Sequence, residues 1–167
     1  MARTDSSIDA DAGPPERHPS RPTWTHIALR VRNVDASIAW YQRFTPLELL
    51  DKRQDEMGFG AWLGDPATVD RPFILVLAQF FPATDPYKDH PQEVLSPFAH
   101  LGIELPTRVA LDEAAAAADA TGCLVMPATE MPAPIGYVCM LSDPDGNRIE
   151  LSHDQGVYAT AKQIWGS

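Results

Sequence analysis

Cysteine is nearly absent: Cys123 and Cys139 are the only two in 167 residues. Two such residues make no disulfide framework, and they read as buried free thiols. No apolar run approaches the roughly 18 residues of a membrane helix, so a membrane partner is not expected. Basic clusters are missing as well, and the formal charge is -10. A phosphate backbone repels such a surface, which excludes a nucleic-acid partner and leaves the charge to serve solubility. The start, MARTDSSIDADAGPPERHPSRP, has no apolar stretch of the secretory kind. Residues 1–22, with Pro14, Pro15, Pro19 and Pro22, read as a disordered lead-in, and the protein as cytoplasmic.

Hydrophobic residues make up 44% of the chain, enough for the core of one domain. After residue 22 the pattern becomes regular. WTHIALRV alternates His26, Ala28 and Arg30 against Ile27, Leu29 and Val31, as a strand does. NVDASIAWYQRF follows as a helix, with Val34, Ile38 and Tyr41 on one face and Asn33 as its N-cap. LELLDKR and GFGAWLG read as strands. FILVLAQFF reads as a strand buried on both faces.

The second half repeats this order. HLGIEL is a strand, and TRVALDEAAAAADATG a helix capped by Thr107. Leu111, Ala114, Ala115 and Ala118 form its buried stripe, and Gly122 ends it. CLVMPAT, GYVCMLS and RIELS are three more strands, with DPDGN a hairpin turn before the last. GFGAWLGDP (58–66) also aligns with GYVCMLSDP (136–144). The shared order and the local match predict a duplicated βαβββ unit. The modules span 23–81 and 99–153, together one domain over 23–153. Residues 82–98 are a linker, either a surface crossover or a pocket cover. Residues 154–167 form a tail with helical character.

Duplication puts His26 and His100 at equivalent places on equivalent strands. Alone, either histidine is more often a satisfied core or surface residue. Together with Glu150 on the last strand they make a set of two imidazoles and one carboxylate. Such a set binds one divalent metal and leaves positions open for substrate or water. His18 lies in the lead-in and His90 in the linker. His153, three residues after Glu150, points to the other face of its strand.

HIALRVRNVDASIAWY, HLGIEL and above all LSDPDGNRIEL resemble the vicinal oxygen chelate superfamily, which includes glyoxalase I, extradiol dioxygenases, fosfomycin-modifying enzymes and bleomycin-binding proteins. The resemblance implies an α+β fold of two pseudo-symmetric βαβββ modules whose sheets curve around a central metal-binding cavity. It implies that His26, His100 and Glu150 are metal ligands, with Fe, Zn, Ni or Mn as the ion. Glyoxalase I usually carries a fourth ligand on the last strand of its first module. Here the matching position is Val76.

Alternation adds pocket candidates. Arg30 shares a face with His26 and offers a charge for an anionic substrate. Glu104 shares a face with His100 and offers a base. Tyr137 and Trp62 sit on the third strands of the two modules, as pocket walls, with Tyr137 also a hydrogen-bond donor. Glu150, Glu104 and Tyr137 are thus the catalytic candidates, and Arg30, Trp62 and Tyr137 the substrate-binding ones. The expected function is a metal-dependent, glyoxalase-like lyase or isomerase on a small molecule with vicinal oxygens. Iron-dependent extradiol ring cleavage and non-catalytic drug binding stay open beside it. Homodimer formation is expected, with Trp165 in VYATAKQIWG as an anchor.

Overall fold

The computed structural model describes residues 22–68 and 72–166. Apart from Pro22, the lead-in expected over residues 1–22 lies outside the described residues, and His18 with it. Alternation in the first module yields β1 (His26–Arg30), and the helix α1 (Val34–Phe44) begins after Asn33, whose side chain accepts from the Ala36 N–H. Three strands complete it: β2 (Glu48–Gln54), β3 (Gly58–Gly64) and β4 (Ile74–Phe80). The second module repeats the order with β5 (His100–Glu104), α2 (Arg108–Ala120), β6 (Leu124–Met131), β7 (Gly136–Ser142) and β8 (Arg148–His153). Thr107 caps α2, and Gly122 takes a φ of 73° just beyond its end, a conformation glycine adopts without penalty. A last helix, α3 (Val157–Trp165), ends the described chain.

The architecture is α+β, with two four-stranded sheets ordered β1-β4-β3-β2 and β5-β8-β7-β6. The first and last strands of each module run parallel in the sheet, and the remaining pairs are antiparallel. The duplication reaches the register. Ala28 pairs with Val76 in the first module, and Gly102 pairs with Glu150 in the second. Each helix covers one face of its own sheet. Leu29, Leu75, Leu77, Ala61 and Leu63 meet Val34, Ile38, Tyr41 and Phe44; Cys139, Leu141, Ile149 and Leu151 meet Leu111, Ala115 and Ala118. Both halves belong to one core cluster.

β4 departs from expectation. Leu75 and Leu77 are buried, but Ile74, Val76, Ala78 and Phe80 are only half-buried. They sit on the face away from α1, and none of the described residues covers that face fully. A strand can read as apolar throughout and still bury only one side within its own chain.

The linker bonds to both modules. Gln92 donates to the Arg30 carbonyl at 2.7 Å and to Asp145 Oδ1 at 3.0 Å. The Leu95 N–H donates to Asn147 Oδ1 at 2.9 Å. It thereby ties the end of β1 to the DPDGN turn of the second module. Cys123 and Cys139 are free thiols. Among the described residues no helix is long and apolar enough to cross a membrane.

Candidate metal centre

β5 and β8 lie side by side, so His100 and Glu150 project from one face of the second sheet, two residues out of register. His100 Nε2 stands 3.7 Å from Glu150 Oε2, and both side chains are partly shielded from solvent. The other imidazole nitrogen, Nδ1, is 2.6 Å from the Phe98 carbonyl. A carbonyl only accepts, so Nδ1 carries the proton. Nε2 is then the ring atom that faces the carboxylate oxygen. Two neighbouring ligands of one ion stand roughly 3–3.5 Å apart, close to this gap. Gly102, the register partner of Glu150, leaves the face open there: a Cβ built on it would meet no atom within 4 Å. The donor types, the ring orientation and the open space all fit a divalent cation.

Glu150 is held from its other oxygen. Gln155 Nε2 donates to Oε1 at 3.2 Å. Asp154, with a φ of 59°, turns the chain after β8 and returns Gln155 toward the strand it has just left. Alternation stops at the strand end, which is why the sequence pattern does not reveal this contact. Glu104 lies on the same face of β5 as His100, half-buried, with Ser152 as its register partner. It accepts no hydrogen bond among the described residues.

The first module supplies the remaining candidates. His26 is exposed at the start of β1, and its Nδ1 shares a hydrogen bond of 2.9 Å with the Thr25 hydroxyl. Among the described residues of one chain, no three His, Cys, Asp or Glu side chains gather closely enough to hold an ion. His26 therefore stands apart from His100 and Glu150 within the chain. Trp62 is on the face of β3 away from α1, 37% exposed, with the Arg53 guanidinium 4.6 Å above its ring. Arg30 is committed elsewhere. It forms an ion pair with Asp85 and donates to the Tyr87 carbonyl at 3.2 Å, so it fastens the linker rather than standing free for an anion.

Tyr137 also departs from expectation. It pairs with His153, while Glu150 pairs with Met140, and three positions along a regular strand reverse the face. Tyr137 therefore turns toward α2, away from Glu150. Its hydroxyl donates to Asp112 Oδ1 at 2.7 Å, and the Arg108 guanidinium lies 3.6 Å from its ring centroid. The bond to Asp112 pushes the phenol above its ordinary value. His153 follows the expected parity, with Nδ1 3.1 Å from the Leu105 carbonyl.

The family model of the Glyoxalase/Bleomycin resistance protein/Dioxygenase superfamily matches residues 23–151, and the chain belongs to that superfamily. Uncharacterized protein PA2024 of Pseudomonas aeruginosa is 36% identical over 134 residues, covering 80% of this chain and 90% of the relative. The glyoxylase/bleomycin resistance protein/dioxygenase domain from Frankia sp. EAN1pec shares the fold, with a TM-score of 0.60 and 20% identity over 79% of this chain and 97% of that one. A mutant of the fosfomycin resistance protein FosX from Listeria monocytogenes also shares it. That structure was solved with Mn(II) and 1S,2S-dihydroxypropylphosphonic acid; the TM-score is 0.57 and the identity 16%, over 78% of this chain and 90% of that one. The superfamily contains both glyoxalase I enzymes and non-enzymatic binding proteins.

Proposed function

We propose that the protein is a divalent-metal-dependent enzyme, a glyoxalase-like lyase or isomerase acting on a small molecule through two vicinal oxygens. The observation that carries this reading is the His100–Glu150 pair, a ring nitrogen and a carboxylate oxygen 3.7 Å apart with the ring oriented by the Phe98 carbonyl. His26 completes the set from a second copy of the chain. Its exposure, and the half-open sheet faces around His26 and Glu150, support assembly of the site between two copies in a homodimer.

When bound, the ion supplies Lewis acidity to an oxygen of the substrate. His26, His100 and Glu150 would hold it, and Fe, Zn, Ni and Mn all suit that donor set. Glu104 is the chain's own proton acceptor. It has no competing hydrogen-bond partner among the described residues, lies on the face of His100, and moves a proton between neighbouring carbons of the substrate. Trp62 forms an apolar wall from the first module.

Extradiol ring cleavage asks for a further acid–base group. His153 faces Leu105, and His90 belongs to the linker, so the described histidines favour proton transfer over ring cleavage. The Mn(II)-bound relative handles a small oxygen-rich ligand, in keeping with a chelating substrate. A non-catalytic drug-binding role would not need the His100–Glu150 pair.

Protein purified without chelator should contain a divalent metal, and should turn over one of a panel of hemithioacetals and α-hydroxy ketones. Activity lost on chelation and restored by the ion supports the reading. Turnover or ligand binding indifferent to chelation would overturn it.

A further inference from the structure

Gln155 has a second neighbourhood. Besides donating to Glu150, it lines a cavity of about 470 Å³ between α3 and the turn joining β6 to β7. Pro134, Ile135, Val157, Ala161, Ile164 and Trp165 give it apolar walls, and Thr160 adds a hydroxyl. Among the described residues no charged side chain lines it. The far wall is fastened at its base: the Gly156 N–H donates to the Pro134 carbonyl at 2.8 Å, and a Cβ on Gly156 would come within 3.0 Å of the Pro134 Cβ. Glycine there lets α3 approach the turn closely.

α3 buries no residue of its own. Ile164 is 63% exposed and Trp165 81%. The helix thus adds nothing to the core, yet holds an apolar face beside the cavity. The space is about three times the ~150 Å³ that accommodates benzene in an apolar cavity, and it falls within the ~300–1,000 Å³ range of small-molecule sites. One side chain, Gln155, joins this apolar space to the carboxylate of the candidate metal centre.

We propose that the cavity receives an uncharged, ring-sized apolar arm of the substrate, while the vicinal oxygens of the same molecule lie beside Glu150. This rests on the metal-dependent reading above. It narrows the substrate class to aryl- or branched-alkyl-substituted compounds, and Ile135, Ile164 and Trp165 become specificity determinants. A short polar substrate would leave the cavity empty.

Benzohydroxamate and acetohydroxamate test this, since both offer two adjacent oxygens and differ in the apolar arm. On Mn(II)-loaded protein, calorimetry should show benzohydroxamate binding about tenfold tighter or more, since burying a ring adds at least one methylene pair's worth of transfer energy. Ile164→Glu and Trp165→Ala, both at exposed positions, should bring the two affinities together and leave acetohydroxamate unchanged. Equal affinities in the parent, or a ratio unmoved in both variants, overturn the proposal. So does a parent dimer that Ile164→Glu splits while the ratio stays fixed, because a second copy then covers the cavity. Metal-stripped protein with benzamide separates this claim from the metal reading. Shifts of the Ile135 and Ile164 methyl resonances support the cavity even where neither hydroxamate responds to metal, and unshifted methyls overturn it.

Discussion

The Tyr41 hydroxyl donates to Asp143 Oδ2 at 2.9 Å, a buried bond from α1 of the first module to the β7–β8 turn of the second. Asp143 also accepts from the N–H groups of Asp145 and Asn147 and from the Asn147 side chain. The DPDGN turn is thus a joint between modules as well as a hairpin. Tyr41→Phe keeps the ring and removes the donor. It should cost about 1–3 kcal/mol, the usual cost of stripping a buried group of a partner, with both sheets intact. Urea unfolding with a lowered midpoint and unchanged slope checks this. An unchanged midpoint would show that the joint contributes nothing.

Alkali should weaken the fold. Burial pushes the Cys139 thiol from its ordinary value near 9 up to about 11. The unfolded chain then loses this proton first as the pH rises, so stability is fully present below about pH 9 and falls away through about pH 11. Tyr41, raised by burial and then by Asp143, acts in the same direction at higher pH. Cys139→Ala should flatten the first part of the decline in a series of urea midpoints. A decline equally steep in the variant would assign it to other groups.

Glu150→Gln separates a ligand from a structural carboxylate. The metal-free variant should melt at the parent's temperature or slightly above, because the amide keeps the side chain's shape and the oxygen that accepts from Gln155. Stabilisation by added Ni, Zn, Mn or Fe, which follows RT ln(1 + [L]/Kd), should shrink. Thermal melts with chelator and with each ion decide this. A variant that gains as much from metal as the parent removes Glu150 from the ligand set.

Gln155 acts on Glu150 by holding its orientation. Gln155→Met should weaken metal binding about 10–100-fold, as loss of a partner to a ligating carboxylate typically does, while the metal-free melting temperature stays put. Isothermal titration with Mn(II) reads the first and a thermal melt the second. Unchanged metal affinity would confine Gln155 to the cavity wall.

The element order, the α1 and α2 caps and the DPDGN turn were all legible in the sequence, because period, capping residues and turn chemistry are local signals. The nearness of His100 and Glu150 was legible for a further reason: duplication fixes how β5 and β8 pair. The bond from Tyr137 to Asp112 is not legible, because resemblance between GFGAWLGDP and GYVCMLSDP says which strand is equivalent, not which face a residue takes against its neighbour. The ion pair of Arg30 is not legible because its partner, Asp85, is 55 residues away in a linker without periodicity. Gln155 was invisible because a left-handed residue turns the chain after the strand pattern has ended.

The central claim is one ion held by His26 of one copy with His100 and Glu150 of another. His26→Ala and Glu150→Gln should each bind metal poorly as pure proteins. After equal amounts are mixed, unfolded and refolded together, half of a two-fold dimer population is mixed, and each mixed dimer regains one intact site, so about a quarter of the parent's metal stoichiometry should return. Metal per chain, measured after gel filtration, gives the answer. Return to about that fraction supports a site shared between copies. No return, with mixed dimers present, would contradict it.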